Sequence, residues 1–172
     1  VCGTAVVGLD ADGLFTGLWV EAKTDTGAYL SRRTKGMLNN IGGVAGQYKT
    51  PVIASELTFF YTNTMQTSPY RGFGRPEATY IIERLIDKAA RETGHDALAL
   101  RQKNLVTPDQ MPYQTGLTFY YDCGDFPRIV EAAATQADYA GFEKRRKQSE
   151  AKGLLRGIGI SNPVEVAGGP LK

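Results

Sequence analysis

The strongest hydrophobic periodicity in the chain lies between residues 78 and 90. Ala78, Ile81, Ile82, Leu85, Ile86, Ala89 and Ala90 recur every third or fourth position, which predicts a helix with one apolar face. Glu83, Arg84, Asp87, Lys88, Arg91 and Glu92 fall on the opposite face, expected to be wet. Pro76 suits the first turn because its missing N–H would be unpaired there anyway. Glu77 complements the positive end of the helix dipole, and Gly94 is a natural terminator. Asp87 and Arg91 stand at i, i+4, a pair worth only about 0.2–0.5 kcal/mol, so burial of the apolar face must hold this helix. Leu85→Ala would cost about 2–5 kcal/mol if that position is fully buried.

Before this helix the pattern is that of strands. Thr4–Asp10 and Leu14–Val20 are β-rich runs around Asp10-Ala-Asp-Gly13, which predicts a hairpin with Gly13 supplying a positive φ. A polar, glycine-punctuated stretch follows from Lys23 to Gly46, within which Leu30 to Ile41 is read as a short helix. Val52 to Tyr61 is β-branched and aromatic, predicting a third strand that ends in the turn-favouring Thr62-Asn-Thr64. After Gly94, Asp96 is placed to cap a helix from Ala97 to Lys103, and Pro108, Pro112 and Gly116 mark a loop with a β-ribbon near Leu117 to Tyr121. Asp125, two residues before Pro127, starts a helix through Ala137, and a charged helix follows from Gly141 to Ala151. Leu154 to Ala167 reads as a final strand interrupted by Pro163. Strands first, helices in the middle and a strand last predict one α+β domain over residues 1–172, with packed helices on a mixed or mainly antiparallel sheet.

Composition narrows the function. With 172 residues, 42% apolar and 22% charged, the chain can bury a core and is not of disordered type. A formal charge of +2 gives no reason to expect a nucleic-acid partner, and the basic cluster Lys144 to Lys147 sits on a predicted helix, where a solvated face is the plain reading. No apolar run approaches the roughly 20 residues of a membrane helix. No signal peptide is visible, and Val1 suggests that the natural start lies upstream. Cys2 and Cys123 are far apart and form no C-x-x-C pair, so this chain alone builds neither a zinc site nor an iron–sulfur cluster; a reducing, cytoplasmic compartment fits.

Stand-alone catalysis is hard to assemble. His95, the sole histidine, follows Gly94 at a predicted surface turn and reads as an ordinary polar residue. Glu56 and Glu165 would pair as acid and base only if their strands met, which no spacing indicates. Gly72-Phe-Gly74 lacks the third glycine and the βαβ context of a dinucleotide fingerprint. The loop Ser68-Pro-Tyr-Arg-Gly-Phe-Gly-Arg-Pro76 admits two readings. In one, helix-start N–H groups beside Arg71 and Arg75 receive an anion while Phe73 faces a flat ligand. In the other it is a helix-entry turn in which Tyr70 or Phe73 packs on the first helical turn.

The wording of this segment resembles one family. Thr62-Asn-Thr64, Tyr70-Arg-Gly-Phe-Gly-Arg-Pro-Glu-Ala78, Ile82-Glu-Arg-Leu-Ile-Asp87 and Leu100-Arg-Gln-Lys-Asn-Leu105 are similar to the large, molybdenum-cofactor-binding subunit of the xanthine dehydrogenase and aldehyde oxidase family, some members of which are called carbon monoxide dehydrogenase large chains. Gly27-Ala-Tyr29, Tyr121-Asp-Cys-Gly-Asp125 and Arg156-Gly-Ile-Gly-Ile160 extend the resemblance along the chain.

The resemblance implies oxidative hydroxylation of an aldehyde or N-heterocycle at a molybdenum–molybdopterin cofactor, with iron–sulfur clusters and FAD on other domains or subunits. The metal is then held by the cofactor, and no metal ligand from this chain is required. Carried over residue by residue, Arg71 and Gly72 position the cofactor, and Phe73 forms a wall of the pocket for a small aromatic or aldehyde substrate. In copper-containing carbon monoxide dehydrogenases a cysteine follows the loop arginine. Gly72 stands there in this chain, which argues against carbon monoxide as substrate. The family's upstream glutamine loop and downstream catalytic glutamate match nothing here, so no catalytic residue is assigned. The chain reads as a fragment whose partners are the rest of the large subunit and the iron–sulfur and flavin modules. The other reading is a non-catalytic binding or interaction domain that keeps the family fold.

Overall fold

The structure is a computed structural model and describes residues 2–30, 40–68 and 70–165. Strand β1 (Cys2–Leu9) pairs antiparallel with β2 (Phe15–Asp25), and β2 pairs parallel with β3 (Ile53–Phe60), giving a mixed sheet in the order β1-β2-β3. Along β2, Leu18, Val20, Ala22 and Thr24 are buried while Trp19, Lys23 and Asp25 are exposed, the period-2 alternation of a sheet with one face on the core. The hairpin turn is built as the pattern predicts: Asp10 accepts from the Asp12 and Leu14 N–H groups, and Gly13 has φ 81°.

Four α-helices lie among the described residues: α1 (Arg75–Thr93), α2 (Ala97–Asn104), α3 (Phe126–Gln136) and α4 (Phe142–Glu150). Asp96 caps α2 through the Leu98 and Ala99 N–H groups, and Asp125 caps α3 through that of Arg128. Ile82, Ile86, Ala89 and Ala90 of α1 pack with Leu18, Val20, Tyr48 and Leu105 in one core between helix and sheet. A short 3-10 turn, Ile41–Ala45, joins that core, and a two-stranded ribbon of β4 (Tyr113–Gln114) and β5 (Tyr120–Tyr121) lies beyond it. This is the α+β architecture expected. The helix read between Leu30 and Ile41 falls largely outside the described residues.

The wet face assigned to α1 is wrong at one position. Glu83 is only 4% exposed, because a buried cation lies opposite it. Arg101 of α2 is fully buried; its Nε donates to Glu83 Oε2 at 2.8 Å and its Nη2 to Asp87 Oδ1 at 2.8 Å. Nη2 also donates to the Glu83 and Ile160 carbonyls, and Nη1 to that of Ala97. Asp87 therefore pairs with Arg101 and Arg84, and not with Arg91 as its spacing suggested. Tyr48 completes the cluster by donating its hydroxyl to Glu83 Oε1 at 2.7 Å; burial, with the Glu83 charge beside it, holds the phenol protonated well above its usual range.

Among the described residues the final strand is not formed, and residues 166–167 of that reading lie outside them. Residues 154–165 run without strand pairing, and distant side chains hold two of their carbonyls. Arg101 holds the Ile160 carbonyl, Gln47 Nε2 donates to the Pro163 carbonyl, and Asn162 Nδ2 donates to the Tyr48 hydroxyl. Gly157, Gly159 and Pro163 disfavour a continuous strand in any case. Glu165 and Glu56 are not brought together as a pair: Glu165 binds Arg75 at 2.7 Å, and Glu56 stands opposite Glu21 in register.

Arg101→Ala would strand the Glu83 carboxylate in the core, and we expect it to lower stability by about 3–5 kcal/mol in urea denaturation. Leu85 is only half-buried, so Leu85→Ala should fall below the roughly 2–5 kcal/mol of Ile86→Ala, Ile86 being fully buried. Equal losses at 85 and 86 would contradict this packing.

Candidate functional site

Beyond β3 the chain turns back over the end of β2, and one carboxylate ties it there. Asp25 Oδ1 accepts from the Gly27 N–H at 2.7 Å and from the Thr62 hydroxyl at 2.5 Å, and Oδ2 accepts from the Thr64 hydroxyl at 3.1 Å. The Thr62 and Ala28 N–H groups donate to the Gly27 and Thr64 carbonyls, and Thr67 N–H donates to the Thr26 carbonyl. The Thr62 hydroxyl, then the Gly27 N–H, hold the Asp25 carboxyl below its ordinary value of 3.8.

The chain then enters α1 through a tight turn in which Gly72, Phe73 and Gly74 have φ 91°, 23° and 87°. Glycine takes such values freely, whereas Phe73 is a non-glycine residue held in a sparsely populated region. The peptides from residue 73 onward are pinned. Phe73 N–H donates to the Tyr70 carbonyl, Arg75 N–H to that of Gly72, and Gly74 N–H to Glu77 Oε2 at 3.0 Å. Asn40 Nδ2 donates to the Phe73 carbonyl at 2.6 Å.

This geometry alters both readings of the loop. The N–H groups of residues 73–75 that an anion would need already have partners, and Arg75 is bridged to Glu165. Tyr70 is 87% exposed, so it is not a staple on the helix. Arg71 remains: it is exposed and, among the described residues, has no carboxylate or hydrogen-bond partner.

Arg71 and Phe73 line one cleft of about 530 Å³. Its other walls include the hydroxyl-bearing Thr24, Thr26, Thr67, Ser68 and Tyr70, with Phe59 and Pro76. Asp25 and Glu77 also border it, their carboxylates already engaged by the turn. Gly72 faces the other way, onto a smaller recess of about 350 Å³ shared with Arg75, Thr79, Ser161 and Glu165. The loop thus brings Arg71 and Phe73 to one side and Gly72 to the other. Among the described residues no group of three His, Cys, Asp or Glu side chains is placed to hold a metal ion, and no helix is long and apolar enough to cross a membrane.

Sequence reasoning named Thr62 and Thr64 only as turn residues and as part of the family wording, and did not single out Asn40 or Asp25. The Asp25-x-Gly27 spacing signals an Asx turn, and Thr62-x-Thr64 offered its partners. No local pattern links Asn40 to a carbonyl 33 residues later.

A model of the molybdopterin cofactor-binding domain matches residues 2–105. The chain is 30% identical over 93% of its length to the gamma subunit of the 6-hydroxypseudooxynicotine dehydrogenase complex of Paenarthrobacter nicotinovorans, covering 21% of that protein. It is 31% identical over 94% of its length to the carbon monoxide dehydrogenase large chain of Hydrogenophaga pseudoflava, again covering 21%. Among solved structures, quinoline 2-oxidoreductase from Pseudomonas putida 86 superposes with a TM-score of 0.79 at 27% identity, over 88% of this chain and 20% of that one. The chain therefore spans about a fifth of the length of these relatives.

A carboxyl whose pKa is depressed in the folded state stabilises that state fully above its unfolded pKa and ceases to as pH falls through the lower folded value. The protection factor of residues 62–67, the exchange rate corrected for its intrinsic pH dependence, should accordingly be constant from about pH 8 to 5 and fall only below about pH 4. In Asp25→Asn this acid step should be absent; its persistence would exclude Asp25 as the tie.

Proposed function

Since the chain belongs to the molybdopterin cofactor-binding domain family, we propose that its parent protein is a molybdenum hydroxylase that oxidises an aldehyde or aromatic N-heterocycle, with this chain supplying one wall of the site. The observation that carries the reading is that Arg71 and Phe73 line one cleft on a turn whose peptide groups from residue 73 to 75 are held by hydrogen bonds. A preformed wall is what a reaction that depends on orientation requires.

The cleft suits the cofactor chemically. The Thr24 and Ser68 hydroxyls and an exposed guanidinium suit an anionic, hydrogen-bonding ligand, while the Thr26 and Thr67 hydroxyls and the neighbouring carboxylates are turned to internal partners. Arg71 would hold the cofactor's negative charge from the cleft side, and Gly72, without a side chain, would leave the backbone open to close approach from the recess on the loop's other face. When bound, the molybdenum centre supplies the two-electron redox chemistry. Phe73 offers a ring face to a flat substrate and keeps water from that side. Arg75, paired with Glu165, is left as a support of the loop.

Quinoline 2-oxidoreductase is named for a flat N-heterocycle, which agrees in kind with an aromatic wall at Phe73. Gly72 offers no thiol, which separates this loop from the copper-containing branch. Iron–sulfur and FAD modules and the remainder of the large subunit are the partners this reading requires, in the cytoplasm. By itself the 172-residue chain should show no hydroxylation, because most of the site's walls lie elsewhere.

The test is to express the complete reading frame, measure molybdenum and pterin, and assay aromatic aldehydes and N-heterocycles. Arg71→Ala should lower cofactor content, and Phe73→Ala should lower kcat/KM for aromatic substrates by about 10–200-fold. A molybdenum-free protein, or unchanged turnover of every aromatic substrate in Phe73→Ala, would sink the proposal.

A further inference from the structure

Phe73 needs something to hold it, and the structure provides it from a distant element. Asn40 occupies the N-cap position of the 3-10 turn Ile41–Ala45, where an Asn side chain ordinarily accepts from the helix's own N–H groups. It makes no such bond. Its amide donates instead to the Phe73 carbonyl at 2.6 Å. Delivery is enforced by packing: Gly43 of the same turn lies so close to α1 that a Cβ there would stand 3.2 Å from Ala78 Cβ, one helical turn from the loop. The peptide after Phe73 is thereby fixed at both ends, its carbonyl by Asn40 and its N–H by Glu77.

We propose that Asn40 is a positioning residue for the cleft: by fixing the Phe73 carbonyl it holds Phe73 in its left-handed conformation and so keeps its ring as a wall. Asn40 need not touch a ligand to do this. The consequence for substrate choice rests on the proposed function, whereas the positioning itself does not. A carbonyl released here frees ψ of Phe73 and φ of Gly74, the torsions that flank this peptide, and with the carbonyl carbon no longer anchored φ of Phe73 can relax to negative values and carry the ring out of the cleft.

The experiment uses the complete protein with Asn40→Asp, which keeps size but cannot donate at neutral pH, and Asn40→Ala. Hydrogen exchange of residues 70–77 should accelerate about tenfold or more in both, while residues 98–105 keep the rate of the parent. The selectivity ratio, kcat/KM for an aromatic over a small aliphatic aldehyde, should fall about tenfold with the aliphatic value unchanged. In a Phe73→Gly background, where glycine adopts the positive φ unaided, the Asn40→Asp effect on exchange should largely vanish.

Unchanged exchange at 70–77 would overturn the proposal, as would acceleration spread equally to 98–105, the mark of general packing. An undiminished effect in the Phe73→Gly background would equally overturn it. Local acceleration with an unchanged selectivity ratio would uphold the positioning role and count against Phe73 as a substrate wall, so the two readings fail separately.

Discussion

A fully buried guanidinium cannot be left without partners, and the position of Arg101 makes that constraint felt across the fold. Its donors take up the Glu83 and Asp87 carboxylates of α1, carbonyls of α1 and α2, and the Ile160 carbonyl of the last described segment. Hydrophobic packing alone would let α1 slide along the sheet, because apolar contact is non-directional. A fork of fixed geometry gripping two successive turns of α1 sets its register against α2. Tyr48, bonded to Glu83 and to Asn162, fastens the same segment a second time.

That segment is what connects the buried cluster to the cleft. Held at Ile160, Asn162 and Pro163, it arrives beside α1 with Glu165 on Arg75. Of the two loop arginines, one is thereby neutralised and built into the scaffold, and Arg71 keeps its charge for the cleft. The turn between them has the Phe73 and Gly74 N–H groups already bonded, to the Tyr70 carbonyl and to Glu77. Its fitness as a site therefore rests on rigidity and on one cation, and not on a helix N-terminus waiting for an anion.

The sequence made the regular elements legible because period-2 and period-3.6 patterns are local: the hairpin, β3 and the four helices stand close to where they were read. It misled at Glu83, where a charge at a helical position reads as solvent-facing and only the tertiary arrival of Arg101 reverses that. Residues 154–165 carry strand-like side chains, yet no strand forms in a segment whose carbonyls are claimed by distant arginine and glutamine groups. In the candidate site, Arg71, Gly72 and Phe73 were legible through the wording of the loop. The two faces of that loop, the Asp25 tie and Asn40 were not, since each depends on partners about 30 or more residues away. Leu100-Arg-Gln-Lys-Asn-Leu105 was recognisable as a family phrase without its reason. Arg101 holds the ion cluster, and Asn104 clamps the hairpin by bonding the Gly13 carbonyl and the Phe15 N–H.

The central claim is that a turn already rigid in this chain forms one wall of a molybdenum cofactor site. The most direct measurement is a crystal structure of the complete protein with its cofactor. The account predicts the cofactor against the cleft, in hydrogen-bond reach of Arg71, with the backbone of residues 70–74 within about 1 Å of the conformation described. A cofactor bound away from this loop, or a turn rebuilt by more than about 2 Å to receive it, would contradict the account.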